Sequence, residues 1–128
     1  MKPEQNKTPF KFEDLIIYNK SVELGESIQQ QISKFPNEER ARLGLFFSNA
    51  ADALAINIAV GSENNKETFL LALEDASNAA YECVVCSTKA KLRGYISEEE
   101  DQKNREDVVE LNKMITSFKN HIQSKLNS

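Results

Sequence analysis

The 128 residues include 20 acidic and 16 basic side chains, a net charge of −4, with 40% hydrophobic and 28% charged residues. A chain of this length suits one domain that buries roughly two-thirds of its unfolded surface, with no need of metal or disulfide to hold its core. The acidic balance argues against a general nucleic-acid coat, which is normally basic.

At the start, Met1 to Lys7 is polar with no apolar stretch behind it, unlike a secretory signal. Residues 1–11 read as a loosely held tail and residues 12–128 as one bundle domain. The three prolines fall at Pro3, Pro9 and Pro36, which leaves the rest of the chain free for long helices. The first helix is expected over about 13–34. Leu15, Tyr18, Val22, Gly25 and Ile32 keep one helical stripe, and Ile17, Leu24, Ile28 and Phe35 form a second beside it. Pro36 stops it.

Asn37 is the expected cap of the second helix, with Glu38 and Glu39 in its first turn. Leu43, Phe47, Ala50, Leu54 and Ile58 repeat at helical spacing, while Leu45, Phe46, Ala53, Ile56 and Val60 occupy other faces. A helix this apolar all round is expected to be buried on more than one side. Gly61 is its expected left-handed cap. The longest apolar run, around Ala50 to Val60, is broken by Asp52 and Asn57, short of the ~20 residues of a membrane span. No membrane partner is expected, and the expected home is the cytoplasm.

The third helix opens at Asn64-Asn65-Lys66-Glu67, which has the form of a capping box. Phe69, Leu73, Ala76, Ala80, Cys83, Ser87 and Ala90 alternate at spacings of four and three, and most are small, so helix axes can approach closely. Leu70, Leu71, Tyr81, Val84 and Val85 lie off that seam and need burial elsewhere. Lys89, Lys91 and Arg93 sit in its last turn and Gly94 closes it.

Ser97-Glu98-Glu99-Glu100 is a capping box with Ile96 at the staple position. The fourth helix then carries Val108, Leu111, Ile115, Phe118 and Ile122 on one narrow stripe and runs to about Leu126. Short connections between the four helices favour an antiparallel up-down-up-down bundle, all-α.

Chemistry is sparse. Cys83 and Cys86 form C-x-x-C inside a helical pattern rather than after a strand, so they read as small packing residues. Zinc needs two further ligands, and the only histidine is His121. Di-iron bundles need Glu-x-x-His, but Phe118 stands three residues before His121. With no glycine-rich phosphate loop and no supported triad, neither cofactor nor metal is expected and the chain is read as non-catalytic.

Three segments in order, Phe35-Pro36-x-Glu38-Glu39, Asn57-Ile58-Ala59-Val60-Gly61 and Gly94-Tyr95-Ile96-Ser97-Glu98-Glu99, carry a resemblance. Together with Phe12-Glu13-Asp14-Leu15 and an acidic position at Glu82, they resemble the four-helix bundle family encoded by intervening sequences in bacterial large-subunit ribosomal RNA genes. The resemblance implies a small bundle that assembles with itself, in several members as a ring-shaped pentamer. A related branch serves as an RNA-binding accessory to the reverse transcriptase of diversity-generating retroelements. This chain departs from the pattern at Val60, where an acidic residue is usual, and at Ser48 and Asn49, where a basic pair is common. Loss of the basic pair in particular weakens an inherited RNA-binding role, and the acidic balance points the same way.

Two functional expectations follow. The apolar excess on the second and third helices points to a homo-oligomeric scaffold or an adaptor for a protein partner. An RNA-binding surface is the alternative: one end of an up-down bundle would gather Lys34, Arg40, Arg42, Lys89, Lys91 and Arg93, unless the nearby acids Glu38, Glu39 and Glu98 to Asp101 neutralise them. Asn57, on or beside an apolar seam, is expected to cap or bridge the neighbouring helix and fix register.

Overall fold

The computed structural model describes residues 8–128, so the greater part of the expected tail, residues 1–7, lies outside the described residues. Residues 8–11, mostly exposed, make local contacts that lead into the first turn. The Phe10 amide donates to Thr8 Oγ1 at 3.1 Å, and a 3-10 turn spans Lys11–Asp14. The Phe12 ring meets Tyr18 edge-on at 5.0 Å. This turn replaces the expected first helical residues, and α1 (Ile16–Ile32) begins after extended Leu15. The stripe through Ile17, Leu24, Ile28 and Phe35 faces the core, whereas Val22 on the other stripe is exposed.

The expected second helix is two. Pro36, not Asn37, occupies the cap of α2 (Asn37–Arg40), and the Asn37 side-chain oxygen instead accepts from the Arg40 guanidinium. The chain bends at Ala41–Arg42 and resumes as α3 (Leu43–Ser62). Gly61 is not the left-handed cap the sequence suggests, since it lies inside α3 and Gly94 alone among the described residues has positive φ. Its role is space: a Cβ there would stand 2.5 Å from Ala72 Cβ and 3.0 Å from the Phe69 ring.

Asn65, rather than Asn64, caps α4 (Lys66–Leu92), its Oδ1 accepting from the Thr68 amide at 2.8 Å. Asn64 turns back and donates to the Val60 carbonyl at the end of α3. At the far end of α4, Gly94 adopts φ 78°. The Tyr95 amide reaches Ala90 O at 2.8 Å and the Gly94 amide reaches Lys91 O at 3.0 Å, the paired bonds of a Schellman motif. The Ser97 capping box is present in both directions and opens α5 (Glu98–Leu126).

Long-range pairs fix the directions. Gly25 meets Ala51 and Ile32 meets Gly44, so α1 and α3 run antiparallel. Lys91 faces Asp101 and Phe69 faces Phe118, so α4 and α5 do too. Lys20 with Glu110 and Lys34 with Glu100 close α1 against α5 in the same sense. The result is an all-α bundle of four long helices whose centre is filled by fully buried Ile28, Phe47, Leu54, Ile58, Leu73 and Ile115.

Within the stretch Asn37–Ser62 an 18-residue window reaches a mean hydropathy of 1.5, enough in length and composition for a membrane span, contrary to the reading from unbroken runs. Here it is bent at Arg42 and lays Leu43, Phe47, Leu54 and Ile58 into the core. The expected burial of α3 on a second side is not met within the chain, where Leu45, Phe46, Ile56 and Val60 stay exposed.

Candidate functional site

Three features stand apart from ordinary bundle packing: a basic end, a buried polar layer and an apolar outer face. The basic end forms where α1 and α4 finish. Lys34 Nζ pairs with Glu100 at 2.6 Å, Arg93 with Glu39 at 3.4 Å and Lys91 with Asp101 at 3.7 Å. The Lys34 contact and the Ser97 amide together hold the Glu100 carboxyl below its ordinary pKa. Arg40 donates to the Ser33 carbonyl and to Asn37. Arg42 and Lys89 are exposed and make no ion pair among the described residues. Half of the candidate cations are therefore engaged by acids of the same end.

The buried polar layer lies one turn inward and was not anticipated. Gln31 of α1 and Asn104 of α5 exchange two amide bonds, each 2.9 Å. Asn104 also donates to Ser87 Oγ of α4 at 3.0 Å, and Ser87 donates to Asp101 Oδ1 at 2.7 Å. Arg105 Nε reaches Asp101 Oδ2 at 2.9 Å, and its Nη2 donates to Thr88. Burial would raise the pKa of Asp101, but the Ser87 hydroxyl, Arg105 and Lys91 outweigh it and hold the carboxyl below its usual value. Each side chain of the layer is partnered, and the bonds between Gln31, Asn104, Ser87 and Asp101 tie three helices in register. A sequence signal existed: Ile17, Ser21, Leu24, Ile28, Gln31, Phe35 and Asp101, Asn104, Val108, Leu111, Ile115 keep unbroken core spacing through their polar members.

The family-signature residues divide by role. Ile58 and Gly61 are buried, Ala59 is half-buried, and Gly94 and Tyr95 form the turn in which the Tyr95 ring packs 5.1 Å from Phe35. Asn57 does not bridge to a neighbouring helix; its amide donates to Ala53 O of its own helix at 2.9 Å. It is half-buried, and Glu82 is exposed. The outer faces of α3 and α4 carry Phe46 at 74% exposure, Leu71 at 67% and Leu92 at 76%, with Ile56, Val60 and Val85 also open.

Cys83 and Cys86 are free and buried. Burial, with Cys86 and Glu82 nearby, pushes the Cys83 thiol up to about 12, and burial raises Cys86 despite the opposing charge of Lys89. His121 is exposed and stacks on Phe118 with ring centres 6.5 Å apart. Among the described residues no group of three His, Cys, Asp or Glu side chains is placed to hold a metal ion.

These features define an all-helical bundle whose interior polar groups are structural and whose unusual surface is apolar. The family model for the 23S rRNA-intervening sequence protein matches residues 13–117, and the chain belongs to that family. Its fold is similar to the crystal structure of a protein with unknown function from the S23 ribosomal protein family of Bacteroides thetaiotaomicron, with a TM-score of 0.73 and 20% identity over 80% of this chain and 97% of that one. A comparison with curated proteins finds no match.

Proposed function

We propose that the chain is a non-catalytic scaffold of the cytoplasm that assembles with itself and acts through protein contacts. The observation that carries this reading is the outer apolar face of α3 and α4, where Phe46, Ile56, Val60, Leu71, Val85 and Leu92 remain exposed. Apolar surface gathered on adjoining helices is what a protein interface covers. The family resemblance supplies the expected assembly, a ring-shaped pentamer. Light-scattering mass tests it: a multimer that dissociates in Phe46→Ser/Val60→Ser supports the reading, and a monomeric wild type overturns it.

RNA binding is the second reading, favoured by Arg42 and Lys89, which face solvent without acidic partners among the described residues. Repetition around a ring would multiply that small patch. With no Trp and three Tyr, the protein absorbs weakly near 280 nm, so co-purifying nucleic acid would dominate the spectrum of the same peak. Salt-sensitive RNA retention lost when Arg40, Arg42, Lys89 and Lys91 become Ala would favour this reading; unchanged retention would remove the patch from consideration.

A further inference from the structure

We propose that copies of this chain join through two different faces, the exposed stripe of α3 in one copy seating on the α4–α5 face of the next. This rests on the self-assembling scaffold reading and adds which surfaces meet and in what register. On α3, Arg42, Leu45, Asn49, Asp52, Ile56 and Val60 recur at steps of three and four, and each is exposed. On α5, Glu98, Gln102, Glu106, Val109 and Lys113 form a second such stripe, also exposed throughout. The two helices are parallel, because each runs antiparallel to α1, and both start at the basic end. Copies related by rotation about an axis along the bundle would therefore bring the two stripes together level for level.

The charges of the two stripes run in opposite order. From the basic end, α3 carries a cation, Arg42, and then an anion, Asp52, whereas α5 carries Glu98 and Glu106 and then Lys113. None of these five side chains has an ion-pair partner among the described residues. Along the helix axis Asp52 stands about 15 Å beyond Arg42, and Lys113 stands about 10 Å beyond Glu106 and about 22 Å beyond Glu98. An Arg42 set between the two acids thus brings Asp52 level with Lys113. The same register places Phe46, 74% exposed, within a turn of Val109, at a groove of about 560 Å³ walled by Tyr81, Val84, Val108 and Val109. Opposite charges flanking an apolar centre are what a specific protein contact presents. An antiparallel two-fold contact of α3 with its own copy matches less well. It would set Asp52 near Asp52 and leave Arg42 facing Val60, and like charges across an interface are costly.

The test is sedimentation of the full-length chain beside two charge-reversed variants. Arg42→Glu/Asp52→Lys reverses the α3 stripe, and Glu98→Lys/Glu106→Lys/Lys113→Glu reverses the α5 stripe. Each alone should self-associate about tenfold or more weakly than wild type. Their equimolar mixture should recover association to within about threefold of wild type, because each variant's α3 then matches the other's α5. The milder Glu106→Gln, which leaves the start of α5 untouched, should weaken association in the same direction. A multimeric wild type whose mass is indifferent to Glu106→Gln and to the α5 reversal would overturn this pairing and leave the scaffold reading standing. A mixture of folded variants, by circular dichroism, that fails to recover would overturn the register. A monomeric wild type would overturn the pairing and the scaffold reading together.

Discussion

The outer face of α3 and the inner face of α5 depart from amphipathic order in opposite directions. On α3, Leu45, Phe46, Ile56 and Val60 carry apolar surface into solvent. On α5, Asp101, Asn104 and Asn112 carry polar groups into the interior. The α5 departure is nearly resolved within the chain, because Gln31, Ser87, Ser77 and Arg105 supply partners. The α3 departure has no such internal resolution. A buried polar group needs a directional partner and is costly without one, so it must be matched by the fold that buries it. Exposed apolar surface loses only the gain that burial would bring, and a second molecule can supply that later.

The largest effect is expected at Asn104. Asn104→Ala strands the Gln31 amide and removes a donor to Ser87, and should cost roughly 3 kcal/mol of unfolding free energy by denaturant titration. Gln31→Leu/Asn104→Leu, which removes both amides together, should recover most of that loss; no recovery would mean that the layer acts through more than mutual satisfaction. Acid is the next probe. The Asp101 carboxyl is held below its ordinary value, so its contribution is complete above the unfolded pKa of about 3.9 and is lost as pH falls through the lower folded value. Melting between about pH 5 and 2 should therefore show a steeper loss in wild type than in Asp101→Asn.

A smaller effect is expected at the capping box, where Ser97→Ala should cost about 1 kcal/mol and leave oligomer mass unchanged. The smallest effect is expected on the outer face of α3. Phe46→Ser should change the stability of the separated chain by no more than about 0.5 kcal/mol while weakening self-association in sedimentation. A large stability loss in the separated chain would show that Phe46 is needed by the bundle itself.

Helix identity and most helix ends were legible because their causes are local. Gly94 and Ser97 act through their own backbone and their neighbours within a turn. The break at Ala41–Arg42 was not legible, since no proline or glycine marks it and neighbouring packing decides whether a helix continues. Gly61 was misread for a related reason. Its position near a helix end suggested a cap, but what it lacks is a side chain where Ala72 and Phe69 press against it. The polar layer was half legible: Ser87 stands in the core seam among small residues, whereas Gln31, Asp101 and Asn104 lie on core spacing but are polar, and only their partners on other helices make their burial tolerable.

The two buried thiols of α4 give the bundle an internal clock. Burial pushes the Cys83 thiol up to about 12, so its thiolate is scarce at neutral pH, and the packed seam keeps reagents away from it. Alkylation must then wait for the helices to part. The labelling rate, divided by that of an unstructured thiol, reads out how often the core opens, with no probe added to the sequence.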